Sequence, residues 1–372
     1  MLWVLSLHYG RVVHLPEPLR TVASGGDAGV SVFFVLSGLV LTLNYGPALA
    51  AGHGVRDYVR ARVARIVPTY WAALAGGVVA TLYAMHSTPR LLDDLVRPSG
   101  HRGAALALDV LGLQAWVPVP GMRDAFNAPA WSVSTEIGFY AALPFLAGWL
   151  LRERSRRAVL GLAVSAGLLM LAVNVLAVVA VQDSSAGAQR TVLAALYTVP
   201  VLRLPEFVVG CLLGVLVLRA EVPVPLATRN GRDACLLLVA ALTAAALWSP
   251  HAGVLQHGTR ALLLLDLRRH VLFLPAVGLG LLVLAAGRTS LHPLLESRAA
   301  QQLGRASYAV YLVHWVLLQP FLLHVRQRGA GYPPLWQPAL LLVGTLAVGL
   351  AAHHWFEEPV RRRLTHREPV VA

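Results

Sequence analysis

Long apolar tracts recur along the chain, divided by short segments rich in arginine, proline and glycine. Residues 28–44, 66–85, 129–151, 158–181, 199–218, 234–248, 271–286, 308–325 and 337–355 form nine such tracts. Most approach the roughly 20 residues that cross a bilayer as a helix. A further tract opens the chain: "MLWVLSLHYG" offers nine residues before Gly10, too few to span alone. "RVVHLPEPLR" then reads as a loop. Hydrocarbon supplies no hydrogen-bond partners to a backbone, so repeated tracts of this kind must be helices. The pattern predicts an all-α, polytopic transmembrane helical bundle of about 10 transmembrane helices.

One tract does not fit the count. "ALALDVLGLQAWVPV" (105–119) is apolar but short, carries Asp109 and runs into a proline-rich loop. Arginine placement decides its status. If it does not cross, the basic groups at 56–65, 152–157, 219–232, 288–305 and 361–367 all fall on one face. The excess of positive charge on cytoplasmic loops then puts both termini inside and makes 105–119 an interfacial or re-entrant piece. Arg260, Arg268 and Arg269 fall on the outer side in this scheme, against the rule.

Composition agrees. Charged residues are 13 % of the 372, about half the share of an ordinary globular chain, so no soluble appendage is expected. Residues 1–372 read as a single membrane-embedded domain, with 362–372 a cytoplasmic tail. The formal net charge of +13 raises the question of nucleic acid. Yet the arginines sit at the ends of apolar tracts, without zinc-finger spacing or a basic-aromatic surface, so lipid rather than nucleic acid is the expected partner. Cys211 and Cys235 lie in apolar segments, as buried small hydrophobes do, and suggest neither a disulfide nor a metal pair. No short signal peptide with a small-residue cleavage site is expected ahead of the bundle.

Against this background a few polar residues are out of place, because ionisable groups inside a membrane are costly and usually have a task or a partner. Glu136, in "APAWSVSTEIGFYAALPFL", lies near the start of a long apolar helix just after Trp131, Ser132, Ser134 and Thr135. It is either functional or an interfacial group satisfied by a nearby Arg, His or hydroxyl. His8 closes the first tract; histidine transfers protons near neutral pH, though near a helix end it is often interfacial. With the first helix starting inside, His8 and Glu136 share the outer half of the bundle. Arg62 and Arg65, three apart, share a helical face. They are topology anchors or, with Arg56 and Arg60 beside them, a phosphate site whose guanidinium forks match phosphoryl oxygens. No Walker or Rossmann glycine pattern accompanies them, which excludes nucleotide hydrolysis and nicotinamide binding by those devices. In "LGRASYAVYLVHW" the spacing of Tyr308, Tyr311 and His314 makes one stripe, either a surface aromatic belt or a cavity lining. In "VLRLPEFVVG" Glu206 stands three residues from Arg203 and is placed to pair with it; Pro205 is placed to start or kink a helix.

Together "LSLHYG", "GVSVFFVLSGLVLT", "RARVARIVPTYW", "PAWSVSTEIGFYAALPFL", "RLPEFVVGCLLG", "SYAVYLVHW" and "FEEPVRR", in this order from residue 5 to 362, resemble the membrane-embedded acyltransferase-3 family. These are bacterial integral membrane O-acyltransferases. Each piece is weak alone; the order and spacing are specific. The resemblance implies transfer of an acyl group, commonly acetyl from acetyl-CoA, to a hydroxyl of a sugar, glycan or secondary metabolite. It makes His8 the family's functional histidine, Arg62 and Arg65 its Arg-x-x-Arg motif, and Glu136 the acid of its Trp-Ser-x-Ser-x-Glu motif. Tyr311 and His314 correspond to its Tyr-Leu-x-His motif. "SGLVLTLNYGP" and the compact length are similar to the macrolide acyltransferase subgroup.

The family also carries an arginine ahead of the histidine, at a position that here would precede Met1. With the short first tract, this leads to the expectation that the first helix is incomplete at residue 1, by a misassigned start or by truncation. A truncated chain would be an inactive member. In the mechanism these residues imply, Arg60, Arg62 and Arg65 hold the phosphates of acyl-CoA, a co-substrate rather than a resident cofactor. His8 is the base for the acceptor hydroxyl. Glu136 orients His8 or binds the acceptor, and Trp131, Tyr308, Tyr311 and His314 line the acceptor pocket. No metal is expected. The rival reading is a transporter or flippase with a proton relay, which the lack of a two-half repeat and of paired broken segments disfavours.

Overall fold

The apolar tracts fold as helices. The structure, a computed structural model, describes residues 1–87, 101–119, 121–247, 272–327 and 332–365. Helix accounts for 84 % of it and no strand occurs among the described residues, so the protein is all-α. Among these residues seven helices are long and apolar enough to cross a membrane: Glu17–Ala50, Val55–His86, Arg156–Val181, Gly187–Leu218, Arg229–Leu247, Ser307–Gln327 and Trp336–Thr365. The remaining expected crossings are also helical but shorter or more polar: Leu2–Tyr9, Trp131–Leu150 and Leu274–Ala286. Across the bundle many large apolar side chains are exposed, among them Phe145 at 87 % and Leu237 at 74 %, as suits helices whose solvent is hydrocarbon. Arg260, Arg268, Arg269 and the tail beyond Thr365 lie outside the described residues.

The tract at 105–119 contains the helix Arg102–Leu111, ten residues long, or about 15 Å. That is half of a hydrocarbon core of about 30 Å. The helix stops because Gly112 takes φ +67°, the left-handed C-terminal conformation that a side chain disfavours. The Tyr70 hydroxyl donates to the Asp109 carbonyl at 2.5 Å and the Trp71 indole to the Val110 carbonyl at 3.0 Å, which ties this end to the Val55–Ser87 helix.

The chain divides into two compact units. The first comprises Met1–Leu15, Val55–Tyr140 and Ser297–Ala372. In it the Ser307–Gln327 helix packs against Val55–Ser87 and Trp336–Ala352, and Glu358–Thr365 lies on Val55–Ser87. The short Leu2–Tyr9 helix is anchored by Leu5, Tyr9 and Val12, which form a core with Ala306, Val310 and Leu318. A hydrogen bond of 2.6 Å between the Tyr9 and Thr345 hydroxyls secures it.

The second unit comprises Pro16–Gly54 and Ala141–Glu296. Its centre is the pair Gly29–Ala50 and Pro200–Leu218. A Cβ on Gly38 would stand 2.1 Å from the Phe207 carbonyl oxygen, and one on Gly210 1.9 Å from that of Val35. The small residues of "GVSVFFVLSG" therefore serve close backbone packing. Pro200, not Pro205, begins the second helix of this pair, where its missing N–H costs nothing. Arg203 and Glu206 pair at 3.0 Å on that helix, 3 % and 1 % exposed. The Ser31 hydroxyl accepts from the Arg203 guanidinium at 3.0 Å, and the rings of Phe34 and Tyr197 flank it. Cys211 and Cys235 are free thiols.

Candidate active site

Every candidate site residue lies in the first unit. The helical spacing that links Tyr308, Tyr311 and His314 is realised, and it divides the stripe between two neighbourhoods.

The first neighbourhood surrounds His8. Its ring meets His314 at a centroid separation of 5.2 Å and the edge of Trp315 at 5.2 Å. His314 is fully buried and lies 5.6 Å from the Tyr311 ring. Its Nδ1 bonds the Tyr311 carbonyl. A carbonyl only accepts, so Nδ1 carries the hydrogen, and in the neutral ring the lone pair is on Nε2. That Nε2 is buried without a hydrogen-bond partner among the described residues. The Tyr311 hydroxyl donates to the Pro129 carbonyl at 2.9 Å and lies 2.8 Å from the Ser132 hydroxyl. The Asn127 amide donates to the Leu312 carbonyl at 3.1 Å, binding the segment ahead of Trp131 to the same helix. Tyr311 is 7 % exposed, so this is an interior cluster and not a belt at the membrane surface.

The second neighbourhood collects the charges. Arg62 places its guanidinium over the Tyr140 ring at 5.7 Å, and Arg65 covers the Tyr308 ring at 5.5 Å, two cation–π contacts. The Tyr140 hydroxyl donates to Glu136 at 2.7 Å, and Glu136 also interacts electrostatically with Arg65, Tyr308 and Tyr311. The Tyr308 hydroxyl donates to the Ile66 carbonyl at 3.0 Å. Arg65 forms an ion pair with Glu357, which is 1 % exposed. Arg60 is exposed and donates to the Leu364 carbonyl at 2.5 Å, on the last turn of the described chain. Trp131 is 7 % exposed at the start of its helix, where its carbonyl accepts the Thr135 hydroxyl at 3.1 Å.

The acyltransferase-domain family model matches residues 1–354. The chain belongs to the acyltransferase-3 family. It is 28 % identical over 369 residues to Acyltransferase MdmB of Streptomyces mycarofaciens, covering 95 % of this chain and 85 % of that one. It is 31 % identical over 340 residues to the exopolysaccharide production protein ExoZ of Rhizobium meliloti, covering 91 % and 90 %. Protein 2 in the picA locus of Rhizobium radiobacter is 37 % identical over 151 residues, 38 % of this chain and 76 % of that one. No solved structure matches the chain. The protein is thus a multi-pass membrane acyltransferase of this family.

Within the acyltransferase-3 chain two site neighbours escaped the sequence reading. Tyr140 follows Glu136 by four residues, a helical spacing that places both on one face, so a local signal existed. Glu357 has no such signal, since its partner Arg65 is 292 residues away. "HHWFEEPVRRR" reads equally well as a basic helix end.

Proposed function

We propose that the protein transfers an acyl group, acetyl in the first instance, from acyl-CoA to a hydroxyl of a sugar, glycan or glycosylated or polyketide metabolite. The observation that carries the reading is the meeting of His8 with His314 and Trp315 in a family member whose Arg62 and Arg65 lie in the same unit. His8 removes the acceptor hydroxyl proton as the oxygen attacks the thioester carbonyl. The carbon–sulfur bond then breaks, and the proton passes from His8 to the departing CoA thiolate. His314, with Nδ1 committed to the Tyr311 carbonyl, has its bare Nε2 available to hold the His8 ring or an acceptor hydroxyl. Tyr311, Tyr308 and Trp131 line the acceptor side.

Arg62 and Arg65, with Arg60 adding positive potential, hold the CoA phosphates. Glu136, which accepts the Tyr140 hydroxyl beside Arg62, orients His8 or binds the acceptor. The family match spans parts of both compact units, which supports their acting as one functional domain. An exopolysaccharide production protein among the relatives favours a glycan acceptor, and a named acyltransferase favours group transfer over transport. On this reading the protein sits in the bacterial plasma membrane with both termini cytoplasmic, as the arginine bias of its loops supports, so that the arginines meet cytoplasmic acyl-CoA.

The test is purified full-length protein in lipid nanodiscs with radiolabelled acetyl-CoA and a panel of hydroxylated acceptors. Label should enter an acceptor with one free thiol released per acyl group moved. Failure with every acceptor, together with glycan movement by the same protein reconstituted in vesicles, would favour the transporter instead.

A further inference from the structure

Glu357 is a buried carboxylate to which the mechanism above assigns no task. It ends a π-helical turn, His353–Glu357, between the Trp336–Ala352 and Glu358–Thr365 helices. Such widened turns are rare and concentrate at functional sites. The two glutamates of "FEEP" have separate partners. Glu358 is taken up on its own helix by Arg361 at 2.6 Å and Arg362 at 2.7 Å. Glu357 turns to the Val55–Ser87 helix, where Oε1 receives the Arg65 guanidinium. Its other oxygen lies 3.2 Å from His353 Nδ1. Arg65 is consequently held on two sides, by the Glu357 carboxylate and by the Tyr308 ring beneath its guanidinium. The side chain still has 28 % of its surface open.

A long arginine side chain free in solution samples many rotamers, and ordering it on ligand binding costs free energy. A buried carboxylate that fixes one edge of the guanidinium removes part of that cost. It leaves the other N–H groups of the fork directed as a unit. Arg62 is arranged differently: it lies over Tyr140, whose hydroxyl is held by Glu136.

We propose that Glu357 is a positioning residue for the acyl donor. It holds Arg65 against Tyr308 so that the remaining guanidinium donors meet donor phosphate oxygens. This rests on the reading of Arg62 and Arg65 as the donor site. Glu357 touches neither the acyl group nor the acceptor, so its effect belongs in donor affinity and not in the chemical step.

The experiment is steady-state transfer by the full chain in nanodiscs, with acetyl-CoA varied at saturating acceptor, for wild type, Arg65→Ala, Glu357→Gln and the double variant. Thermal unfolding of each is recorded in parallel. Glu357→Gln should raise the acetyl-CoA KM about tenfold, because a charge-assisted contact to the guanidinium is lost, with kcat within about twofold. The double variant should have the KM of Arg65→Ala alone, since Glu357 acts only through Arg65. The double variant buries no unpaired charge and reads the coupling even where Glu357→Gln folds poorly; a further rise in its KM over Arg65→Ala overturns the proposal. An unchanged KM in folded Glu357→Gln, with Arg65→Ala raised, overturns this inference and leaves the donor site standing. An unchanged KM in Arg65→Ala overturns the donor-site reading and this inference with it.

Discussion

Arg203 with Glu206 in the second unit, and Arg65 with Glu357 in the first, join the same two chemical groups under different constraints. The first pair closes within one turn of one helix. Its 3 % and 1 % exposure, with Ser31, Phe34 and Tyr197 around the guanidinium, leaves nothing for a ligand to reach. The second pair crosses between helices distant in sequence and keeps its arginine partly open. A buried pair closed within one helical turn and sealed around its guanidinium serves the fold. An arginine held by Glu357 and Tyr308 with part of its surface still open remains able to bind something else. Among membrane-embedded charges, the useful question is therefore which face the partner leaves free.

The contrast can be broken most sharply at the histidine. His8→Ala should lower kcat by about 10²–10⁴-fold, the usual worth of a general base, while the thermal midpoint stays near wild type. Equal turnover in the variant would remove His8 from the chemistry. The next largest effect belongs to the sealed pair. Arg203→Met leaves Glu206 buried and unpaired, a loss of about 3–5 kcal/mol of stability, measured by denaturation in detergent. Arg203→Met with Glu206→Leu should recover much of it, because an ion pair replaced whole by apolar groups is often near neutral. If the single change lowers activity with no loss of stability, the pair is not structural.

A smaller effect is expected from Arg62→Ala combined with Arg65→Ala. The acetyl-CoA KM should rise by about tenfold or more, with kcat changed less, and protease-accessibility mapping should give the wild-type orientation. Inverted or uninserted protein would instead mark the arginines as topology anchors.

A last, pH-dependent effect concerns the buried Asp109 carboxyl. Asp109 is 3 % exposed, and its Oδ2 has no hydrogen-bond partner among the described residues. Burial, with the Asp124 carboxylate adding to it, pushes the Asp109 carboxyl up to about 8. The folded protein thus holds a proton that the unfolded chain releases near pH 4. Stability from this group is full at acid pH and declines as pH rises from about 4 to about 8. Asp109→Asn should flatten that decline, so its thermal midpoint should gain on wild type as pH is raised across this window. A parallel shift at all pH values would exclude the linkage.

Much of the site was legible along the chain, for a specific reason. Tyr311 and His314 meet because residues three apart share a helical face. The same rule joins Glu136 to Tyr140 and Arg203 to Glu206. The breadth of the apolar tracts determined the helical class, since lipid permits little else. The short tract at 105–119 likewise yields a helix of only ten residues. The spacing puts Tyr308 on one stripe with Tyr311; the structure separates them, one under Arg65 and the other against Pro129 and Ser132.

By itself, then, the sequence determined the all-α membrane class, the family, and the helical spacing that joins Tyr311 to His314 and Arg203 to Glu206. Only the tertiary structure decided that His8 faces His314 and Trp315, and that Arg65 is held by Glu357. Helical periodicity relates residues a few positions apart. Which of the resulting faces meet depends on how helices hundreds of residues apart pack, and no local pattern encodes that choice.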